Sequence, residues 1–262
     1  MLSIIIPTLN EEKYINKLLH SIKNQFHKNY EIIIVDGSST DNTEQVVNKY
    51  KHKFKRLDFI RIEEKNVSKQ RNTGAKVARG EILIFLDADI IIYDQHFLGK
   101  INKFLQGEYV EETDEEKDKK EEENSVKRKG EKEFGALTSY IEIDPKEAKA
   151  IDIIFHKSNN LWIKILNKLG AFISRGGCTI VKKSAFGKVK GFNEKSHVAE
   201  DLDFSRRINK ITRVKCVDLL VHESARRFRK IGYLKLWWHW TINGIWTFLF
   251  KKSFLKEWKE VR

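Results

Sequence analysis

Gly80-Glu-Ile-Leu-Ile-Phe-Leu-Asp-Ala-Asp89 is the stretch on which the fold turns. Residues 82–86 are continuously apolar, the pattern of a strand buried on both faces of a sheet. The run stops abruptly at two carboxylates one residue apart, Asp87 and Asp89. In an open α/β sheet, ligands bind beyond the carboxyl ends of the strands. Two hard oxygen donors there suit Mg2+ or Mn2+, and through the ion a diphosphate. An acidic turn that only caps the next segment has the same local appearance, so the flanking sequence has to decide.

Towards the N-terminus, Ser3-Ile-Ile-Ile-Pro-Thr-Leu-Asn-Glu-Glu12 opens as a short apolar strand stopped by Pro7, which has no N–H for a ladder. A helix is expected from Asn10 or Glu11, with Ile15, Leu18, Leu19 and Ile22 on one face. Residues 31–35 are a second β-branched run, ending in Asp36-Gly-Ser-Ser-Thr-Asp41, where Asp41 is placed to cap a helix. Residues 59–62 read as a weaker third strand. Gln70-Arg-Asn-Thr-Gly-Ala-Lys-Val-Ala-Arg-Gly80 reads as a helix closed by its terminal glycine. This alternation predicts a doubly wound parallel sheet whose strand tips carry Thr8 and Asn10, Asp36, and Asp87 and Asp89 on one edge. A nucleotide cleft is the natural consequence.

Towards the C-terminus, residues 108–133 hold 12 acidic and 7 basic side chains and almost nothing apolar. Such a segment buries too little to order itself and reads as a solvated insertion. A strand is expected at 134–143, ended by Asp144-Pro145. An amphipathic helix over 151–169 is expected to bury Ile154, Trp162, Ile165, Leu166 and Leu169. Extended chain returns over 172–181, where Gly176 and Gly177 suit a bulge. His197-Val-Ala-Glu-Asp-Leu-Asp-Phe-Ser-Arg-Arg-Ile208 is a second acidic centre. Glu200 and Asp201 begin a helix, a position that favours carboxylates by itself. Asp203 is expected to pair with Arg206 or Arg207 one turn on. A last strand over 214–221 ends at His222.

Composition sets outer bounds. The 262 residues carry 50 basic and 37 acidic side chains, a net charge of +13. An anionic partner follows: a nucleotide, a nucleic acid or an acidic membrane surface. Removing the insertion, with its 12 − 7 = 5 excess negative charges, leaves the remainder at +18. Apolar content of 40% supports a substantial core. Two isolated cysteines, Cys178 and Cys216, demand neither a metal nor a disulfide, and no leader is evident at the start. A cytoplasmic, reducing setting is the expectation.

Taken together, Ser3-Ile-Ile-Ile-Pro-Thr-Leu-Asn-Glu, Ile34-Val-Asp-Gly-Ser-Ser-Thr-Asp, Gln70-Arg-Asn-x-Gly-Ala and Phe85-Leu-Asp-Ala-Asp resemble a family 2 glycosyltransferase of the GT-A fold, in the family's order. With later matches the resemblance covers residues 1–225. It implies an α/β fold: a Rossmann-like, mostly parallel sheet flanked by helices. It also implies a metal-dependent, inverting transfer from a UDP- or GDP-sugar to a hydroxyl on a glycan or lipid-linked acceptor, with no nucleic acid involved. The matching positions imply Pro7, Thr8, Asn10, Glu11, Asp36, Arg71 and Asp87 around the nucleotide sugar. They imply Asp89, Asp87 and a late His222 around the divalent ion. Of the acidic pair Glu200 and Asp201, the second matches the family's catalytic base. The glycine pair matches the acceptor side.

Residues 231–262 form an aromatic and basic tail after a transferase domain expected over 1–230. Trp237, Trp238, Trp240 and Trp246 sit among Leu, Ile and Phe, while Lys235, His239, Asn243, Thr247 and Lys251 recur every fourth position. That spacing draws one polar stripe down an otherwise apolar helix. Basic residues flank both ends, so no transmembrane orientation is favoured. A helix lying in the plane of an anionic, cytoplasmic membrane face is one reading; a helix packed on the body or in a dimer is the other. Two rival activities also stand. A nucleotidyltransferase needs a glycine-rich loop after its first strand, and Pro-Thr-Leu-Asn-Glu-Glu contains no glycine. A binding module without transferase activity would leave the acidic tips unexplained. Transfer to a polyprenyl phosphate needs no base, so Glu200 and Asp201 favour a hydroxyl acceptor.

Overall fold

A computed structural model describes residues 1–106, 134–168, 176–196 and 198–250. The chain runs β1 (Leu2–Thr8), α1 (Ile15–Lys23), β2 (Tyr30–Asp36), α2 (Thr43–Asn48), β3 (Leu57–Arg61), α3 (Val67–Val77), β4 (Ile82–Leu86) and α4 (Phe97–Gln106). It continues through β5 (Phe134–Ile143), α5 (Ala150–Lys168), β6 (Cys178–Lys182), α6 (Lys183–Lys188), α7 (Glu200–Ile211), β7 (Arg213–Glu223), α8 (Arg226–Ile231) and α9 (Tyr233–Phe250). The seven strands form one sheet in the order β3-β2-β1-β4-β6-β5-β7. β1, β2, β3 and β4 are mutually parallel. β6 runs antiparallel to both β4 and β5, and β7 is parallel to β5. The expected mostly parallel sheet flanked by helices is what forms.

Strand period and burial explain the two layers. Ile4, Ile6, Ile32, Ile34 and Ile84 pack on one face of the sheet with Leu18, Leu19 and Ile22 of α1. Their neighbours Ile5, Ile33, Val35, Leu83 and Phe85 pack on the other, with Ala75 of α3 and Phe204 of α7. Successive side chains point to opposite faces, so strands covered on both sides must be apolar throughout, as residues 82–86 are.

Register then sets the working edge. Thr8 lies opposite Asp36, and Ile5 opposite Phe85. The tips of β1, β2 and β4 therefore open on the same side.

Several local expectations change. β1 continues through Pro7 to Thr8 rather than stopping at Pro7. The β4 ladder has already ended at Ile5, where a missing N–H is tolerated. α1 starts at Ile15, because Asn10 has φ +55° and residues 12–14 form a turn before the helix. α3 ends before Gly80, which is not its C-cap. Gly80 instead donates its N–H to Ser3 Oγ at 2.8 Å. A Cβ there would meet Ser3 Oγ at 2.6 Å and Met1 O at 2.7 Å, so glycine is needed for close approach to β1.

The largest correction concerns α5. Ile154, Trp162 and Ile165, expected in the core, are exposed, while Asp152, His156 and Ile163 face inward. Leu169 lies outside the described residues, as do 108–133 and the end of the tail from 251. No helix among the described residues is long and apolar enough to cross a membrane.

Candidate active site

The first strand tip is built around Asp36. Its carboxylate is fully buried and accepts from Thr8 Oγ1 at 3.1 Å, Ser39 N at 2.9 Å, the Ser39 hydroxyl and Arg61 Nε at 3.3 Å. Four acceptor positions are all a carboxylate has. Asp36 thus organises the loop after β2, with Arg61 its most exposed partner. Asn10 closes the same loop from the β1 side, its Oδ1 accepting from Thr40 N at 2.8 Å.

The β4 tip is tied to the second acidic centre by a buried arginine. Arg71 donates to Asp87 at 2.8 Å, to Glu200 at 2.9 Å and to Gly176 O at 3.3 Å. It also lies over the Phe192 ring, 5.2 Å from the centroid. Burial opposes its charge, but Asp87 and Glu200 outweigh burial and hold its pKa up. Gly177 O accepts from Asp87 N at 3.1 Å. The turn Gly176-Gly177 thus reaches Asp87 and Arg71 through its backbone.

Asp201 stands beside this clamp. Ala199, in the left-handed region at φ +58°, turns the chain into α7 and delivers Glu200 and Asp201 in its first turn. Asp201 Oδ1 accepts from its neighbour Leu202 N at 2.9 Å. Burial, then the charge of Glu200, pushes the Asp201 carboxyl up to about 7, against the pull of Arg71. A Cβ on Gly176 would stand 3.0 Å from Asp201 Oδ2, so a side chain at that turn would press on this carboxylate. Asp203 is bound by Arg206 at 2.9 Å and Arg207 at 2.7 Å, the expected structural pairing.

Asp89 and Glu11 converge on a residue that charge counting could not single out. Arg226, the first residue of α8, donates to Glu11 through two bonds of 2.8 Å and to Asp89 at 3.1 Å. Its guanidinium stacks on Tyr14, 4.3 Å from the ring centroid. Burial opposes the charge of Arg226, and Asp89 and Glu11 together hold its pKa well above the usual value. Burial raises the Asp89 pKa; Arg226 pulls it down and Asp87 pushes it up, leaving it raised. In sequence Arg226 heads the basic run Arg-Arg-Phe-Arg-Lys, which reads either as a cradle for the donor diphosphate or as a face to lipid or solvent. Only the fold shows which of these cations turns inward.

Residues 3–189 match the model of a family described as Glycosyl transferase family 2. The chain belongs to that family. Among its relatives, poly(ribitol-phosphate) beta-N-acetylglucosaminyltransferase TarS of Staphylococcus aureus is 41% identical over 90 residues, 33% of this chain and 16% of that one. A Methanococcus voltae dolichyl N-acetyl-alpha-D-glucosaminyl phosphate 3-beta-D-2,3-diacetamido-2,3-dideoxy-beta-D-glucuronosyltransferase is 43% identical over 91 residues, 33% of this chain and 28% of that one. The matched stretch spans well under half the length of either relative.

Two solved structures share the fold. S. aureus TarS 1–349 in complex with UDP-GlcNAc superposes with a TM-score of 0.58 at 22% identity, covering 83% of this chain and 56% of that one. Mannosyltransferase PcManGT from Pyrobaculum calidifontis, with GDP-Man and Mn2+, superposes at 0.60 and 20% identity, covering 89% and 61%.

For this family 2 chain the donor groups decide whether a divalent ion fits. Among the described residues, no group of three or more His, Cys, Asp or Glu side chains gathers to hold a metal. Sites of the Mg2+ type, however, use one or two carboxylates and take their remaining ligands from water and substrate phosphates. Asp89 and Asp87 fit that chemistry, with Arg226 as the cation already resident on Asp89. His222 lies at the end of β7, and its buried Nδ1 has no hydrogen-bond partner among the described residues. Its ring packs on Tyr93 at 5.0 Å between centroids, its backbone bridges to Ile91, and burial lowers its pKa. The charge of its neighbour Glu223 reaches Asp89 and helps raise the Asp89 pKa.

Proposed function

We propose that the chain is an inverting, metal-dependent glycosyltransferase that moves a sugar from a UDP- or GDP-sugar to a hydroxyl on a glycan or lipid-linked acceptor. One observation carries this reading: Arg71 binds Asp87 and Glu200 together, so the strand tip suited to a diphosphate and the acidic pair suited to a base line one cleft. The nucleotide lies across the tips of β1, β2 and β4, over Pro7, Thr8 and Asn10. A base N–H reaches Asp36 by taking the place of Arg61. Relatives named for nucleotide-sugar and lipid-linked chemistry support the substrate class.

Asp201 accepts the acceptor hydroxyl proton as that oxygen bonds to the anomeric carbon, and the bond from that carbon to the diphosphate oxygen breaks on the opposite face. One displacement inverts the anomeric centre. A carboxylate whose pKa is near 7 is matched to that task at neutral pH. Asp89, with Asp87 beside it, would hold Mn2+ or Mg2+, which supplies positive charge for the departing diphosphate. Glu11 holds Arg226 at the same mouth, where its guanidinium faces the same departing charge. Residues 1–230 form the transferase body, and the 231–262 tail meets an anionic membrane at its cytoplasmic face, near a lipid-linked acceptor.

Thermal shift with UDP and GDP, each with and without Mn2+, tests the donor site. One of the two raises Tm by about 5–10 °C at a hundredfold excess over Kd, and only with Mn2+. The matching sugar donor then slowly releases its nucleoside diphosphate. Asp89→Asn keeps a native circular dichroism spectrum, melts lower without metal because Arg226 is left with Glu11 alone, and loses both responses. Absence of any nucleotide shift in the wild type, or full turnover in Asp89→Asn, removes the reading.

A further inference from the structure

α5 carries an apolar face that the described residues leave uncovered. Ile151, Ile154, Leu161, Trp162 and Ile165 recur at the three- and four-residue spacing of one helix face. All five are exposed, Ile154 by 63% and Trp162 by 59%. The opposite face, with Asp152, His156 and Ile163, is the one packed on the sheet.

α9 is turned the same way. Of its polar stripe, Asn243 is buried and His239 partly so, beside Leu236 at 0% exposure, while Lys235 at the start is exposed. Leu234 at 86%, Trp237 at 50% and Trp238 at 58% face out. The two helices adjoin through Phe155 of α5, whose ring lies 5.1 Å from Tyr233 and 6.0 Å from Trp240 of α9. Two helices joined at Phe155, each with a row of exposed large apolar side chains, present more apolar surface than scattered exposed residues explain.

We propose that α5 and α9 together form one two-helix surface that seats on an anionic lipid bilayer. The proposal rests on the membrane-facing reading of the tail and adds to it a second inserted helix and a fixed orientation. Charge selects the occupant. Lys157 and Lys164 border the α5 face, and Arg227, Lys230 and Lys235 border α9. Residues 226–250 contain no acidic side chain. The one acid of α5, Asp152, is buried against Arg229. Interfacial helices with basic margins bind anionic headgroups while their aromatic and aliphatic side chains enter the acyl boundary. A second copy of the chain docked on this face would set lysines against lysines, with no acid to answer them.

The surface also lies where a lipid-linked acceptor would have to arrive. α8, six residues and about 9 Å long, is all that separates Arg226 on Asp89 from the start of α9.

The test uses the full chain and vesicles of phosphatidylcholine with and without phosphatidylglycerol, read by sedimentation and by the blue shift of tryptophan emission. Wild type binds only the anionic vesicles, more weakly at high salt. Ile154→Ser combined with Trp162→Ser on α5, and separately Trp237→Ser combined with Trp238→Ser on α9, each weaken binding at least about tenfold. Circular dichroism and nucleotide shift stay unchanged in both, because all four side chains are exposed. If the α5 pair binds as wild type while the α9 pair does not, the two-helix surface is overturned and the tail alone is the anchor. If wild type ignores anionic vesicles at low salt, surface and tail readings fall together, leaving the donor-site reading to its own test. If light scattering shows a dimer that the α5 pair dissolves, without vesicle binding, the face joins two copies and the proposal is overturned.

Discussion

Asp201, the proposed base, is the residue whose environment most changes its chemistry. Its pKa of about 7 in the fold lies above the ordinary carboxylate value, so the folded chain binds a proton that the unfolded chain has released. Stability from that proton is present below the ordinary carboxylate range and is lost as pH rises through about 7. With Asp201 as the proposed base, which works ionised, activity has the opposite sign: log kcat/KM is expected to climb with unit slope below about 7 and to level above it. Asp201→Asn removes both effects together. Turnover drops by about 10²–10⁴ and the pH limb disappears. Above pH 7 the variant melts higher than wild type by at least about 2–4 °C, the equivalent of one kcal/mol in a chain of this size. A rate–pH profile and paired melts at pH 5 and pH 8 check it. Near-wild-type turnover in Asp201→Asn would indicate an acceptor that is already ionised, such as a phosphate, and would sink the hydroxyl assignment.

At the scale of elements, the sequence carried what depends on period and on chain order. β1, β2 and β4 are covered on both faces, so their apolar runs are unbroken, and their parallel order puts Thr8, Asp36, Asp87 and Asp89 on one edge. The face of α5 could not be read in the same way. Its apolar stripe of Ile154, Leu161 and Trp162 is as regular as a core stripe, and the inward face carries Asp152 and His156. Hydrophobic periodicity says that a helix has an apolar side, not what lies against it. Gly80 misled for a related reason, because a glycine at a helix end and a glycine under a neighbouring strand look alike in sequence. The turn before β6 is the element where such closeness bears on function. Gly176→Ala puts a methyl group 3.0 Å from Asp201 Oδ2, and the carboxylate must move because the Gly176 backbone is held by Arg71. The shift asked of the carboxylate is well under the roughly 1 Å that costs about a hundredfold, so we expect kcat to fall by about tenfold or less, with the nucleotide-induced Tm shift intact. Steady-state kinetics that leave kcat unchanged would detach the turn from the base.

Across the whole molecule, two arginines cross-tie the halves of the sheet in opposite directions. Arg71, from the β1–β4 half, reaches over to Glu200 on α7. Arg226, from the far end of the chain, reaches back to Glu11 after β1 and Asp89 after β4, spanning up to 215 positions of sequence. Neither tie is legible from sequence, because each pairs residues whose nearness is made only by the sheet order β3-β2-β1-β4-β6-β5-β7. Arg226 is the more informative of the two, since it holds a carboxylate that the divalent ion would also use. Replacing it with the apolar Met leaves Asp89 and Glu11 largely buried, facing each other without their cation. Removing one partner of such a network costs about 3–5 kcal/mol, so Tm measured in chelator should fall by roughly 6–20 °C. A divalent cation then meets carboxylates that no guanidinium occupies, and Mn2+ should restore more Tm in Arg226→Met than it adds to wild type. Melts of both proteins across a Mn2+ series, without nucleotide, read this directly. Equal Mn2+ shifts in the two proteins would mean that the ion and Arg226 do not share Asp89. A stability unaffected by the substitution would mean that the tie between the two halves is made elsewhere.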